Sequence, residues 1–332
     1  MQYHIDHAKA KEIIEKFPSR RIMVIGDLVA DIYLNGTISR ISREAPVLVL
    51  EQAGEKTVAG GAANVVNNVA TLGGKGCVVG LIGDDKHGET LRKILEQNGA
   101  ITTGLVTDDT RPTITKTRII AGGRATVSQQ IVRIDNESKT PISAATESKL
   151  LGGITELLPS AHGVIISDYG SGTVTPKLSS VVLEHCRSCN IPTMVDSRYD
   201  IARFAKADYV KQNEAELAAA MGVTVGGEDD LMAAAESLRQ RLMAKGILVT
   251  RGEKGMTLVL ENGRTDIPVS DKSEVFDVSG AGDTSVAAFV LAVATGENPA
   301  VAAALANVAS GIAVRKLGTA TVSGNELLRK FD

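Results

Sequence analysis

Apolar residues fall into two patterns along this chain. Short unbroken runs rich in Val and Ile include "RRIMVIGD", "KGCVVGLIG", "GVIISD", "PTMVD", "YVKQN" and "GILVTRG". Runs of this length, bounded by Gly, Asp or Pro, predict strands covered on both faces. Between them lie stretches with helical spacing. These predict a first helix ended near Pro18, one reaching about Leu72, and one over "KHGETLRKILEQNG". Further helices are expected over 143–158, 176–189, 214–221, 228–244, 281–295 and 299–315. Strands alternating with helices predict an α/β fold: a doubly wound, mostly parallel sheet with helices on both faces.

Two stretches break the rhythm. "NGTISRISREAPVLVLEQAGE" and "TITKTRIIAGGRATVSQQIVRID" carry strand-forming runs with no helix between them, the second turning around Gly122-Gly123. Covering about 32–58 and 113–135, they are expected to pair into a small β-sheet lid. Such a flap would stand over the carboxyl ends of the main strands, where open α/β sheets bind ligands. "GMTLVLENGRTDIPV" reads as a hairpin. With no repeat and no linker, residues 1–332 are expected to form a single domain.

Composition narrows the function classes. Hydrophobic residues at 43% suffice for a sizeable core, and a formal net charge of −3 speaks against a nucleic-acid binder. Aromatic residues are 3% and Trp is absent, so base-stacking platforms are not expected. No run approaches the roughly 20 apolar residues of a membrane helix. The charged start, "MQYHIDHAKAKEIIEKF", lacks a signal-peptide apolar region, and a cytoplasmic location is expected. Cys77, Cys186 and Cys189 are odd in number, which disfavours a disulfide framework. Cys186 and Cys189 form a Cys-x-x-Cys near a helix end, but a second pair to complete a zinc site is missing.

The chain has no Walker-type phosphate loop, and its first strand ends in "GDLVAD" rather than a dinucleotide fingerprint. Four other segments can carry chemistry. In "DVSGAGDT", Gly280, Ala281 and Gly282 precede Asp283 where a helix begins. Bare amides at a helix start stabilise anions, and a carboxylate there can take a hydroxyl proton. A glycine-rich turn with an acidic helix start explains the same residues. In "GGAANVVNNVATLGG", Gly60 and Gly61 permit close approach and Asn64 offers hydrogen bonds to a polyol, with Asp31 as a possible clamp on sugar hydroxyls; small-residue helix packing is the alternative. In "KQNEAEL", Asn213 and Glu216 suit phosphate and Mg²⁺-bound water, or equally an N-cap and first-turn acid. In "VTRGEKGM", Thr250, Gly252 and Gly255 suit a phosphate-touching turn or a tight hairpin.

The order of these segments resembles that of the ribokinase family, also called the phosphofructokinase-B family, along essentially the whole chain. Its two signatures match "GGAANVVNNVATLGG" and "DVSGAGDT". The resemblance implies a ribokinase-like fold, an ATP-dependent carbohydrate kinase, and Asp283 as general base with Gly280, Ala281 and Gly282 as anion hole. It places Asp31, Gly60, Gly61 and Asn64 on the sugar. Asn213, Thr250, Gly252, Gly255, Gly282 and Asn307 fall to ATP, and Glu216 to Mg²⁺ through water. Asp277 and Ser279 match positions that frame a K⁺ or other monovalent-cation site in some relatives. It also implies that the lid builds a homodimer.

Within the family, "SRISREAPVLVLE", "RPTITKTRII", "QQIVRID", "SDYG" and "KLGTATVS" resemble the heptose-phosphate kinases joined to an adenylyltransferase. This implies phosphorylation of the C1 hydroxyl of D-glycero-β-D-manno-heptose 7-phosphate, a lipopolysaccharide precursor. An adenylyltransferase is then expected to be a separate protein. Asp168, in "SDYG", joins the acceptor side. The chain departs from those kinases at Ser171 and at Asp196-Ser197-Arg198-Tyr199, each of which loses a lysine, at Arg43 in place of a proline, and around Gly122–Ala125. Arg198, Arg43, Arg124 and Lys116 are candidates to hold an acceptor phosphate, because arginine can do so with two hydrogen bonds. Other ribokinase-family acceptors (sugars, sugar phosphates or nucleosides) remain alternatives, as does a non-catalytic sensor. A carboxylate in the "GAGD" turn would repel a resting pyrophosphate, which disfavours a nicotinamide-dependent oxidoreductase.

Overall fold

The computed structural model describes residues 5–122, 128–224, 226–269 and 275–332. Its helices are α1 (His7–Ile14), α2 (Ala62–Thr71), α3 (Lys86–Gln97), α4 (Ala144–Leu157) and α5 (Pro176–Cys189). They continue as α6 (Glu214–Met221), α7 (Glu228–Leu242), α8 (Ala281–Ala294), α9 (Pro299–Ala313) and α10 (Gly324–Leu328). The strands begin with β1 (Arg21–Gly26), β2 (Leu28–Ile41), β3 (Leu48–Gly61), β4 (Lys75–Gly83), β5 (Ile101–Asp108) and β6 (Ile114–Gly122). Then come β7 (Gln129–Asn136), β8 (Gly163–Asp168), β9 (Thr193–Ser197), β10 (Tyr209–Asn213), β11 (Gly246–Thr250), β12 (Met256–Leu260) and β13 (Gly263–Ile267).

The main sheet has nine strands in the order β13-β12-β11-β10-β9-β8-β1-β4-β5. Neighbours from β11 to β5 run parallel, and the β12–β13 hairpin adds antiparallel pairs at one edge. All of β8 and almost all of β1 are buried, as a doubly covered sheet requires. From β1 the chain builds outward through β4 and β5, and then returns to β8 on the other side. The strand order therefore switches between β1 and β8, leaving a crevice at their carboxyl ends.

Two apolar layers cover the sheet. One gathers Val65, Val66, Val286, Phe289, Ala303 and Leu305 from α2, α8 and α9. The other gathers Leu150, Leu178, Val182 and Leu238 from α4, α5 and α7. Every residue of α8 from Asp283 to Ala292 is buried, because its small apolar side chains let α9 and α2 pack closely on it. A helix apolar all round belongs in a core. This one brings a carboxylate in with it.

The second sheet has the order β3-β2-β6-β7. β2 and β3 form a long hairpin, while β6 joins β2 in parallel and β7 pairs back on β6. The two helix-free segments thus meet in one sheet, extending at its base to Leu28 and Gly61. Its β2–β3 root is buried in the body and its far end is exposed. Residues 123–127, with Arg124, lie outside the described residues. Cys186 is buried and Cys189 exposed at the end of α5. Burial pushes the Cys186 thiol up to about 12, so it packs as an apolar group rather than reacting. Among the described residues, no helix is long and apolar enough to cross a membrane.

Candidate active site

The site begins where β1 ends. Asp27 is fully buried and accepts from the amides of Tyr169 (2.9 Å), Ser171 (3.1 Å) and Thr173 (3.1 Å). One carboxylate therefore fixes the loop after β8. Burial raises its pKa, against which the Thr173 and Ser171 hydrogen bonds work. Asp168 serves the same loop, accepting from Ser197 Oγ (2.7 Å), Arg203 (2.7 Å) and the Gly170 amide (3.1 Å). Its carboxylate, expected on the acceptor side, is thus engaged in anchoring the chain and does not line the cavity of the site.

Gly280, at φ 78°, turns the chain into α8. A Cβ there would approach Asn64 Nδ2 to 2.8 Å, so glycine is needed for both conformation and space. The helix ladder starts with Thr284 N–H to Gly280 O at 3.0 Å, leaving the Gly282 and Asp283 amides without an intrahelical acceptor. Asp283 accepts from Asn64 Nδ2 at 2.8 Å on one oxygen and from the Tyr169 hydroxyl at 3.0 Å on the other. Asn64 Oδ1 in turn accepts from Asn68 (3.2 Å), and Asn68 Oδ1 from Thr284 (2.9 Å). Asn64 and Asn68 sit one turn apart on α2, so the asparagine spacing of that helix lays a hydrogen-bond ladder against α8. Asn64, placed on the sugar by the resemblance, thus has its side chain engaged with Asp283 and Asn68. Burial pushes the Asp283 carboxyl up to about 6. The Asn64 bond opposes this, Asp196 adds to it, and Tyr169 and Lys211 oppose it.

A second charged group sits beside the first. Lys211 Nζ lies 3.0 and 3.2 Å from the Asp196 oxygens and 3.9 Å from Glu216. Burial disfavours its charge, yet Asp196 and Glu216 hold its pKa above the ordinary value. A Cβ on Gly282 would come within 3.1 Å of this ammonium, which puts Lys211 against the start of α8. Asn213 and Glu216 form a reciprocal capping box at α6, at 2.8 Å in each direction. Arg198 lies 3.7 Å from the other Glu216 oxygen, with its guanidinium 4.6 Å over the Tyr169 ring.

These groups open into a cavity of about 1130 Å³. It brings together Arg198, Asn213, Glu216, Thr250, Gly252, Gly255, Ser279, Asn307 and the Gly280–Asp283 turn, all singled out in the sequence. Gly252 and Gly255 have positive φ (55° and 88°), and a Cβ on Gly255 would meet Ile267 O at 2.1 Å. Asn307 donates to Pro268 O at 2.8 Å. Asp277 is outside the lining; its two oxygens accept from the amides of Ser279 (2.8 Å) and Gly318 (3.0 Å). Among the described residues, no three His, Cys, Asp or Glu side chains are grouped to hold a metal. Mg²⁺ bound with nucleotide phosphates needs only one or two carboxylates, and Glu216 in the cavity wall fits that use.

The remaining candidates stand at the root of the second sheet. Asp31 is buried in an ion pair with Arg118 (2.6 Å) and accepts from Thr319 Oγ1 (3.1 Å). It also packs on Gly60, where a Cβ would come within 2.2 Å of its carboxylate. Gly61, at φ 55°, starts α2. Lys116 reaches from β6 to 5.2 Å from the Tyr169 ring centroid. Sequence reasoning gave no role to Asp27, Arg118, Tyr169, Asp196 or Lys211. A lysine inside the buried strand "YVKQN" was the visible signal for the last; the others depend on contacts remote in sequence.

A model of the pfkB family carbohydrate kinases matches residues 19–325. Bifunctional protein HldE of Hyphomonas neptunium is 39% identical over 316 residues, covering 95% of this chain and 64% of that protein. Bifunctional protein HldE of Citrifermentans bemidjiense is 41% identical over 330 residues, covering 98% and 66%. The chain thus spans 64–66% of the length of these two relatives. Among solved structures, Arabidopsis thaliana ribokinase complexed with ribose and ATP superposes with a TM-score of 0.73 at 20% identity, covering 94% of this chain and 98% of that one. Escherichia coli phosphofructokinase-2 in complex with substrates and products gives 0.76 at 19%, with the same coverages. At these identities the two structures establish the shared fold.

Proposed function

Since the chain belongs to the pfkB family of carbohydrate kinases, phosphotransferases acting on a sugar hydroxyl, we propose that Asp283 is its general base. The observation that carries this reading is the buried Asp283 carboxylate, oriented by Asn64 and Tyr169 at the start of α8, in the wall of the cavity. Asp283 takes the proton of the acceptor hydroxyl as the hydroxyl oxygen attacks the γ-phosphorus of ATP and the bond to the β–γ bridging oxygen breaks, releasing ADP. The Gly282 and Asp283 amides at the end of the Gly280–Gly282 turn, with the helix dipole, face the charge on the transferring group, while the Ala281 amide is held by Val278 O. Lys211, beside Gly282, adds a fixed positive charge. The nucleotide lies along Thr250, Gly252, Gly255 and Asn307, with Asn213 near its phosphates. Glu216 would hold Mg²⁺ through water, and that ion supplies charge neutralisation at the phosphates when bound. The Asp277–Ser279 turn is the place for K⁺, and stimulation of turnover by K⁺ over Na⁺ tests it.

For the acceptor we propose D-glycero-β-D-manno-heptose 7-phosphate, phosphorylated at C1. The identity of 39–41% to the two HldE proteins supports it, and Lys116, Arg118 and Arg198 offer cations on the acceptor side. Asp31, with Gly60 and Gly61 behind it, meets sugar hydroxyls when Arg118 yields to them. The second sheet closes over the acceptor and excludes water, and its exposed face joins two copies into a homodimer. Dependence on ATP is in keeping with a cytoplasmic enzyme. ADP release measured across heptose 7-phosphate, fructose phosphates, ribose and nucleosides tests the assignment. The highest kcat/KM is expected with heptose 7-phosphate. Activity confined to an unphosphorylated sugar refutes that acceptor and leaves the kinase standing.

A further inference from the structure

Tyr169 is the first residue after β8, and three amides of its loop are fixed on Asp27. Its hydroxyl donates to Asp283 Oδ1, while Asn64 donates to Oδ2. The ring has charged neighbours from separate elements, Lys116 of β6 at 5.2 Å and Arg198 after β9 at 4.6 Å. Asp27 thus fixes the backbone and the two cations pack the ring.

We propose that Tyr169 is a positioning residue for the base: its hydroxyl fixes the orientation of the Asp283 carboxylate and favours the ionised form that accepts the acceptor proton. This rests on the reading of Asp283 as that base. With Asn64 alone, the carboxylate would be tethered through one oxygen and free to turn about its terminal torsion. A donor on each oxygen removes that freedom and leaves a second lone pair on each for the acceptor hydroxyl. Three other charged groups act on Asp283 without a hydrogen bond to it: Asp196 disfavours its ionisation, and Lys211 and Arg198 favour it. Burial and the neighbouring Asp283 and Asp196 carboxylates push the Tyr169 phenol well above its usual pKa, so it remains a donor throughout the working range.

The test is the acidic limb of the kcat/KM profile against pH in two variants of the full chain. Hydrogen bonds to the charged form lower a carboxyl pKa, so Tyr169→Phe moves the limb upward, by about one pH unit or more. Well above the limb this variant recovers to within about tenfold of wild type. Site-specific 3-fluorotyrosine at 169, a stronger acid of nearly the same shape, moves the limb downward. Opposite shifts uphold the proposal. An unmoved limb in both overturns it, reducing Tyr169 to a packing residue. Should Tyr169→Phe fail to fold, as judged by its melting transition, the fluorotyrosine shift decides alone. Asp283→Asn run alongside separates the two levels: if it keeps its turnover the base assignment fails, whereas loss of turnover with an unmoved Tyr169 limb defeats only this inference.

Discussion

As the proposed base, Asp283 has to be buried and charged at once, and its surroundings act on both halves of that conflict. Burial lifts its carboxyl from an ordinary 3.8 to about 6, while Asn64, Tyr169 and Lys211 limit the rise. Because the base works only when ionised, kcat/KM should fall as pH drops through about 6. A steady-state pH profile checks this, and a limb near the ordinary carboxylate range would contradict it. Stability runs the other way. With its folded pKa raised, the native state holds more protons than the unfolded chain between about 3.8 and 6. The Asp283 contribution therefore declines as pH rises through that window, and above it the buried charge is a net cost. Asp283→Asn should melt no lower than wild type at neutral pH by differential scanning fluorimetry; a clearly lowered Tm would show that the carboxylate holds the fold together. None of this was legible in "DVSGAGDT". The Asn64 and Tyr169 contacts to Asp283 span 219 and 114 positions, and local pattern carries no record of such pairings.

The helices and strands themselves were readable. Apolar runs with period-breaking Gly, Asp and Pro marked β1, β4, β8, β10 and β11, and helical spacing marked α3, α5 and α7, because burial on a covered sheet dictates both patterns. The pairing of β2 with β6 across separate segments was readable only as an absence of helices between strand-forming runs. At α6 Asn213 and Glu216 form the capping box, and the box lies in the cavity wall, where the proposed phosphate and Mg²⁺ roles would be exercised. Two substitutions separate capping from those roles. Glu216→Ala removes the return half of the capping box while the Asn213 cap stays, and should lower stability by about 1 kcal/mol along with activity. Glu216→Gln keeps a side-chain acceptor for the Asn213 amide and should melt within a few degrees of wild type, yet show a raised Mg²⁺ requirement in ADP-release titrations. Unchanged Mg²⁺ dependence in the glutamine variant would confine Glu216 to capping.

At the scale of the molecule, the switch in strand order between β1 and β8 explains why distant residues converge. Asp27, Tyr169, Asp196 and Thr250 lie at or next to the carboxyl ends of parallel strands, Lys211 reaches the site from within β10, and α8 delivers Asp283 into the same crevice. The second sheet grows from its rim and exposes Ile41, Val132 and Ile134. An apolar sheet face of this kind invites pairing with a second copy. Light scattering should therefore give a dimer mass for the wild type and a monomer mass for Ile134→Asp; a monomeric wild type would remove the dimer from the account. The central claim, a sugar kinase whose base is Asp283, is met most directly by phosphoryl transfer from ATP to heptose 7-phosphate in wild type and Asp283→Asn, with binding of both substrates followed by calorimetry. Binding should stay within about threefold of wild type while turnover falls by about a hundredfold or more. Turnover within about tenfold of wild type, with binding intact, would contradict it.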